Sequence, residues 1–138
     1  MLNKLVTNRY FDYRIHKQLN EIIWANVYHD SIRGRKYLEQ LNLNIGRWAG
    51  NYAFFYILNR VLHDFRPKTI LDIGLGESTK FIAATIDNFL KEAQHIVIEH
   101  DPKWINLYQE HNRVSNNTSI IQLDLTEKNF KGYSTTSY

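Results

Sequence analysis

The chain has 138 residues, no cysteine, and 17 Lys/Arg against 14 Asp/Glu, for a formal net charge of +3. That length suits one domain with one real core, and an apolar share of 43% argues against disorder. Without cysteine there are no disulfides, no thiolate catalysis and no Cys-ligated metal.

Residues 1–13 read as irregular, with polar and aromatic side chains interleaved. From about Tyr13 to Tyr28, Ile15, Leu19, Ile22, Ile23 and Val27 recur at helical spacing, with Trp24 widening the stripe. Ser31 is placed to cap a second short helix carrying Ile32, Tyr37, Leu38 and Leu41. Asn42 to Gly46 reads as a connector. A stronger helix follows, in which Trp48, Tyr52, Phe55, Tyr56, Leu62 and Phe65 fall near one broad face, flanked by Leu58 and Val61. Pro67 disfavours helix in the residue before it and ends this element. Aromatic residues at helical spacing, such as Trp24, Trp48, Tyr52 and Phe55, are read as core. They do not alternate with bases as a single-strand stacking platform would require.

Thr69 to Ile73 is a short, mostly apolar strand that runs through Gly74 and Gly76 into an amphipathic helix from about Glu77 to Glu92. Phe81, Ile82, Ile86, Phe89 and Leu90 form the stripe of that helix, and Ser78 or Thr79 supplies a hydroxyl near its start. His95 to Glu99 is a second buried strand. Asp101-Pro102 reads as an N-cap with proline at the first helical position, and Trp104, Ile105, Tyr108 and His111 make the apolar side of the helix that follows. Asn116-Asn117 turns the chain into a third strand, Ser119 to Leu123, ending at Asp124. Short strands alternating with helices indicate an α/β fold with a parallel sheet and right-handed crossovers. The helices of residues 1–66 form an N-terminal extension before an α/β segment at 67–138.

Ligands bind outside the C-terminal ends of parallel strands, and here those ends carry Gly74-Gly76, Glu99 and Asp124. A glycine turn into a helix lets a ligand approach backbone that a Cβ would shield. Glu99, 23 residues beyond Gly76, can accept two hydrogen bonds from a ribose diol and would repel a 2′-phosphate. His100 beside it can stack or hydrogen-bond. Asp124 can accept from an adenine amino group, or cap a turn. Asp72, a carboxylate inside an apolar strand, needs backbone N–H groups or a ligand to satisfy it. Glu77 stands where a pyrophosphate would need to be, which suits a cofactor without phosphates.

Thr69 to Ser78, Ile96 to Asp101 and Ile120 to Leu125 together resemble the N-terminal half of the class I S-adenosylmethionine-dependent methyltransferases. Asp72-Ile73-Gly74-Leu75-Gly76-Glu77-Ser78 looks like their acid-x-G-x-G loop, with Ser78 where a third glycine is common. The resemblance implies a Rossmann-like three-layer fold whose parallel sheet is incomplete, with about three strands of the family's seven. It implies S-adenosyl-L-methionine held by Asp72, Gly74, Gly76, Glu77 and Ser78, its ribose on Glu99 beside His100 and its adenine near Asp124. The helices before the first strand resemble the family's variable N-terminal cap. A sheet ending after three strands leaves a central edge open, which favours a piece of a longer protein. An exposed first-strand edge also predicts self-association.

Two other readings stay open: a non-catalytic binding or assembly domain that keeps the glycine turn, and an NAD-binding fragment, which Glu77-Ser78 match less well. The methyl acceptor is undefined among small molecules, saccharides and proteins. No general base is named, although Tyr28, His29 and Asp30 are reachable in principle. Residues 1–68 hold eleven Lys/Arg against five Asp/Glu, and residues 69–138 hold six against nine. With no basic run of four and no DNA- or RNA-reading motif, a solvated helical surface accounts for this better than nucleic acid does. The six histidines show no metal-binding spacing, so no metal is expected. The N-terminus lacks the apolar core of a signal peptide, and no run of apolar residues is long enough to span a membrane, so a cytoplasmic location is expected.

Overall fold

A computed structural model describes residues 2–46 and 50–124, with side chains from Ile15 onward. The helical part runs α1 (Leu2–Ile32), α2 (Lys36–Glu39) and α3 (Tyr52–Arg60), the last continued by a π-helical turn at Val61–Phe65. The α/β part follows as β1 (Thr69–Ile73), α4 (Glu77–Asn88), β2 (Gln94–Glu99), α5 (Pro102–His111) and β3 (Thr118–Gln122). Expectations resting on Trp48, Leu125 and residues 126–138 lie outside the described residues. Among the described residues no helix is long and apolar enough to cross a membrane.

The first helix departs from expectation. Residues 2–13 are helical, not irregular, and α1 runs on to Ile32. Nothing in that span is glycine or proline, so the backbone ladder is not interrupted until Gly34, at φ 82°. Ser31 consequently lies inside α1, donating to Tyr28 O at 2.7 Å. The cap position of α2 belongs to Arg35, and α2 itself is one turn long. The stripe of Ile15, Leu19, Ile22 and Ile23 faces solvent, and α1 is anchored near its C-terminal end by Tyr28 and Ile32. Asn59, on α3, is buried there and donates to Ser31 O and Oγ at 3.3 and 3.1 Å.

Asn51 starts α3 by accepting from Phe54 N at 2.9 Å. Phe55 and Leu62 are buried as read, whereas Phe65 is 79% exposed. Ahead of Pro67 the chain leaves the helix through Arg66, at φ 49°. The helix α4 ends at Asn88, short of the expected Glu92, because the amides of Phe89 and Leu90 both close on Thr85 O at 2.8 and 3.0 Å. Asp101 accepts from Lys103 N at 2.9 Å with Pro102 at the first helical position, so the start of α5 is as read.

The sheet is parallel with order β1-β2-β3. Register places Ile70, His95 and Thr118 side by side, then Asp72, Val97 and Ile120, on one face. Both core clusters lie on that face. One joins Phe81, Ile82, Ile86 and Leu90 of the α4 region to Tyr28, Ile32, Leu38, Phe55 and Leu62, with Ile70 packed against it. The other joins Leu75, Val97 and Tyr108, flanked by Ile105, Val114 and Ile120. So α4 lies between the sheet and the N-terminal helices, and the described residues of the helical and α/β parts share a core. The opposite face carries Leu71 (60% exposed), Ile73 (68% exposed), Ile121 and Leu123, with Ile96 and Ile98 half-buried between them. The second helical layer of a three-layer arrangement is absent among the described residues.

Candidate functional site

The site is built where β1 passes into α4. Gly74 adopts φ 90°, a conformation that costs any side chain, and its N–H donates to Ile98 O at 2.8 Å. Gly76 is extended and serves as the N-cap of α4, so no capping side chain occupies the helix start. Thr79, one turn in, instead accepts from Gly76 N at 3.2 Å and donates to Asp72 Oδ2 at 2.7 Å. Ser78 Oγ reaches Asp72 Oδ1 at 3.3 Å. Asp72 is thus satisfied from above by hydroxyls of the helix it precedes, which is how an apolar strand tolerates a carboxylate.

Over the loop lies a cleft of about 710 Å³. It is floored by Ile73, Gly74, Leu75, Gly76, Glu77 and Ser78 and walled by Trp104 and Phe54, with Asn44 and Gly50 at its rim. A Cβ added at Gly74 or Gly76 would meet nothing within 4 Å, so there is open space above both. Glu77 pairs with Lys80 Nζ at 2.8 Å and accepts from Asn44 N at 3.1 Å, tying the α2–α3 connector to the helix start. Its carboxylate occupies the first turn of α4, where a phosphate would otherwise be favoured, and Lys80 balances its charge.

Glu99 is 6% exposed at the end of β2, behind the loop. Its Oε2 accepts from Leu75 N at 2.9 Å, and its Oε1 from His100 N and Asp101 N at 2.8 and 3.1 Å. Burial alone would raise its pKa; these three amides, joined by the His100 ring, lower it overall. The exposed His100 ring lies 3.0 Å from Oε1. Glu99 therefore clamps the glycine loop to the second strand, and it stands behind the cleft instead of among its lining residues. Asp124 lies two residues beyond β3, exposed and also outside that lining. Of the residues singled out in the sequence, the cleft brings together Gly74, Gly76, Glu77 and Ser78 over Asp72. Glu99 and His100 support them, and Asp124 is apart.

Trp104 and Phe54 were not legible as site residues. Trp104 reads as an apolar position of α5, but its Nε1 donates to Leu75 O at 2.9 Å, fixing the indole against the loop. The signal was Pro102: it sets the helix start and so puts residue 104 in the first turn, facing back toward the strand ends. Tyr108, one turn further, donates weakly to Gly76 O at 3.4 Å. Burial, with Glu77 and Asp72 adding, pushes its phenol well up. Among the described residues no three His, Asp or Glu side chains could hold a metal ion.

The two glycines predict different failures. Gly74→Ala is expected to lose about 1–2 kcal/mol of stability, because alanine is strained at that positive φ. Gly76→Ala is expected to lose less, under about 1 kcal/mol, because its backbone is extended and its methyl unopposed and only the N-cap preference for glycine over alanine is lost. Urea unfolding of the pair checks this, and equal losses would overturn the loop geometry.

No family model matches the chain, and neither the curated proteins nor the solved structures contain a match to it.

Proposed function

We propose that the chain is the S-adenosylmethionine-binding part of a methyltransferase with a Rossmann-like cofactor fold. The observation that carries this reading is the glycine loop between β1 and α4, opening on a cleft floored by Gly74, Gly76, Glu77 and Ser78, with Asp72 holding the loop from beneath. The residues fit the cofactor's chemistry. Its ammonium and sulfonium groups are cationic, Gly74 and Gly76 admit it to the backbone, and Trp104 and Phe54 offer apolar walls. Glu99, behind the cleft, contributes by holding the Leu75 amide and so the shape of the loop that the ligand meets. The cofactor, when bound, supplies an electrophilic methyl group for an oxygen or nitrogen nucleophile. The protein's part is to orient the reactants and exclude water.

Calorimetric titration of S-adenosylhomocysteine into the chain tests the reading, with Gly76→Ala as the control that should fold but crowd the ligand. Micromolar binding that weakens in the variant supports it. No heat from folded protein overturns it for this chain. The open apolar sheet face favours a second reading, a non-catalytic assembly domain. Concentration-dependent self-association without S-adenosylhomocysteine binding is its expected signature, and a monomer with a cooperative melt counts against it.

A further inference from the structure

The least satisfied buried group in the α/β part is not in the cleft but beneath it. His95, on β2, is 0% exposed. Its Nδ1 lies 3.1 Å from Thr118 Oγ1 of β3, while its Nε2 has no hydrogen-bond partner among the described residues. That Nε2 faces Asp72 Oδ2 at 3.6 Å, across from β1. Asp72 is the same carboxylate that holds Thr79 and, through Thr79, the amide of Gly76.

The proton arrangement follows from these distances. Were Nδ1 to donate to Thr118, a neutral ring would turn the Nε2 lone pair toward a carboxylate, which is repulsive. With the Thr118 hydroxyl donating to Nδ1, the proton sits on Nε2 and points at Asp72. A buried donor thus stops just beyond hydrogen-bond reach of a partly buried acceptor, and a shift of roughly half an ångström joins them. A buried polar nitrogen left unpaired is costly, so that shift is favoured whenever the loop permits it.

We propose that His95 is the positioning residue of the glycine loop. Its Nε2–H, oriented by Thr118, anchors Asp72 from below, so that the carboxylate holds Thr79 and the Gly76 amide in the arrangement a ligand meets. The ligand itself rests on the proposed cofactor reading; the anchoring of the loop does not.

Two measurements test this on the full chain. In the long-range nitrogen spectrum of the labelled protein, the His95 Nε2 should carry the proton; a bare Nε2 overturns the proposal. Backbone hydrogen exchange then compares His95→Met, which fills the space without a donor, with His95→Gln, whose terminal amide reaches about as far as Nε2. Relative to Val97 in the same strand, the Gly76 amide should exchange roughly tenfold faster in His95→Met and return near the parent rate in His95→Gln. Equal behaviour of the two variants at Gly76 overturns the proposal, because mere filling of the core would not distinguish them. Because this exchange is read without ligand, a failure of S-adenosylhomocysteine to bind would leave it decisive for His95. Where that ligand does bind, its affinity should fall in His95→Met and recover in His95→Gln.

Discussion

Glu99→Ala is expected to lower the unfolding free energy by about 3 kcal/mol and to abolish binding at the glycine loop. The carboxylate accepts from the amides of Leu75, His100 and Asp101 while only 6% exposed. Its removal strands the Leu75 N–H in a buried place and frees the loop from the second strand. Glu99→Gln keeps one carbonyl acceptor and should lose less. The charge also leaves a mark on the pH dependence. The folded-state pKa is lowered from its ordinary 4.5, so the stabilisation is complete above that value and is lost as pH falls through the lower, folded one. Denaturant unfolding from about pH 6 to about pH 3 should show a steeper acid loss in the parent protein than in Glu99→Gln. Parallel acid limbs would remove Glu99 as the clamp.

Phe81→Ala should be more damaging still, at about 4 kcal/mol. Phe81 is fully buried on α4, with ring centroids 5.7 Å from Phe55 and 6.4 Å from Tyr28. It is where the helix that carries the cleft meets the N-terminal helices, so truncation opens a cavity between two layers that cannot both collapse into it. Natural domains have only about 5–15 kcal/mol to lose, so this variant should be visibly less folded at 37 °C. Phe65→Ala, at an exposed phenylalanine, should change stability by under about 0.5 kcal/mol. Urea midpoints of the two variants check the contrast. A loss below about 1 kcal/mol for Phe81→Ala would mean that the helices are not docked on α4.

The α/β half was legible because its punctuation is local. Gly74, the Asp101-Pro102 pair and Asn116-Asn117 each demand a turn where one occurs, and the apolar runs between them can only be strands or short helices. Hence β1 falls where it was read, and β2 and β3 start one residue earlier. The helical half has no such marks. Over α1 the polar and apolar residues alternate without a clean seam, and the stripe that periodicity selects, Ile15 to Ile23, is the exposed one. Which face of a helix is buried depends on what reaches it, and here α3 and α4 meet α1 near its C-terminal end, where Tyr28 and Ile32 are the buried residues and Trp24, His29 and Ser31 make side contacts with α3.

The site divides in the same way. The glycines and Asp72 announce themselves through chain neighbours, whereas Trp104 and Phe54 come to the cleft from elements far away in sequence. Glu99 was legible as an acidic strand end but not as a clamp. Its amide partner Leu75 is 24 residues away and becomes a neighbour only once β1 and β2 have paired. His95 looked like one more residue of a buried strand until Thr118 and Asp72 stood on either side of it.

The sheet's connectivity has a consequence for the order in which the molecule assembles. Each parallel pairing, β1 with β2 and β2 with β3, can close only after the chain has passed through one helix, α4 or α5. By contrast, each helix forms from neighbouring residues on a far shorter timescale. The α/β half should therefore be kinetically sequential: α4 and α5 fold first, and the strands zip afterwards across the loops these helices have already shortened. Glycine loop and clamp follow the helices, since Leu75 meets Glu99 only when β1 and β2 are in register. The signal of the cleft on refolding should then lag that of the helices.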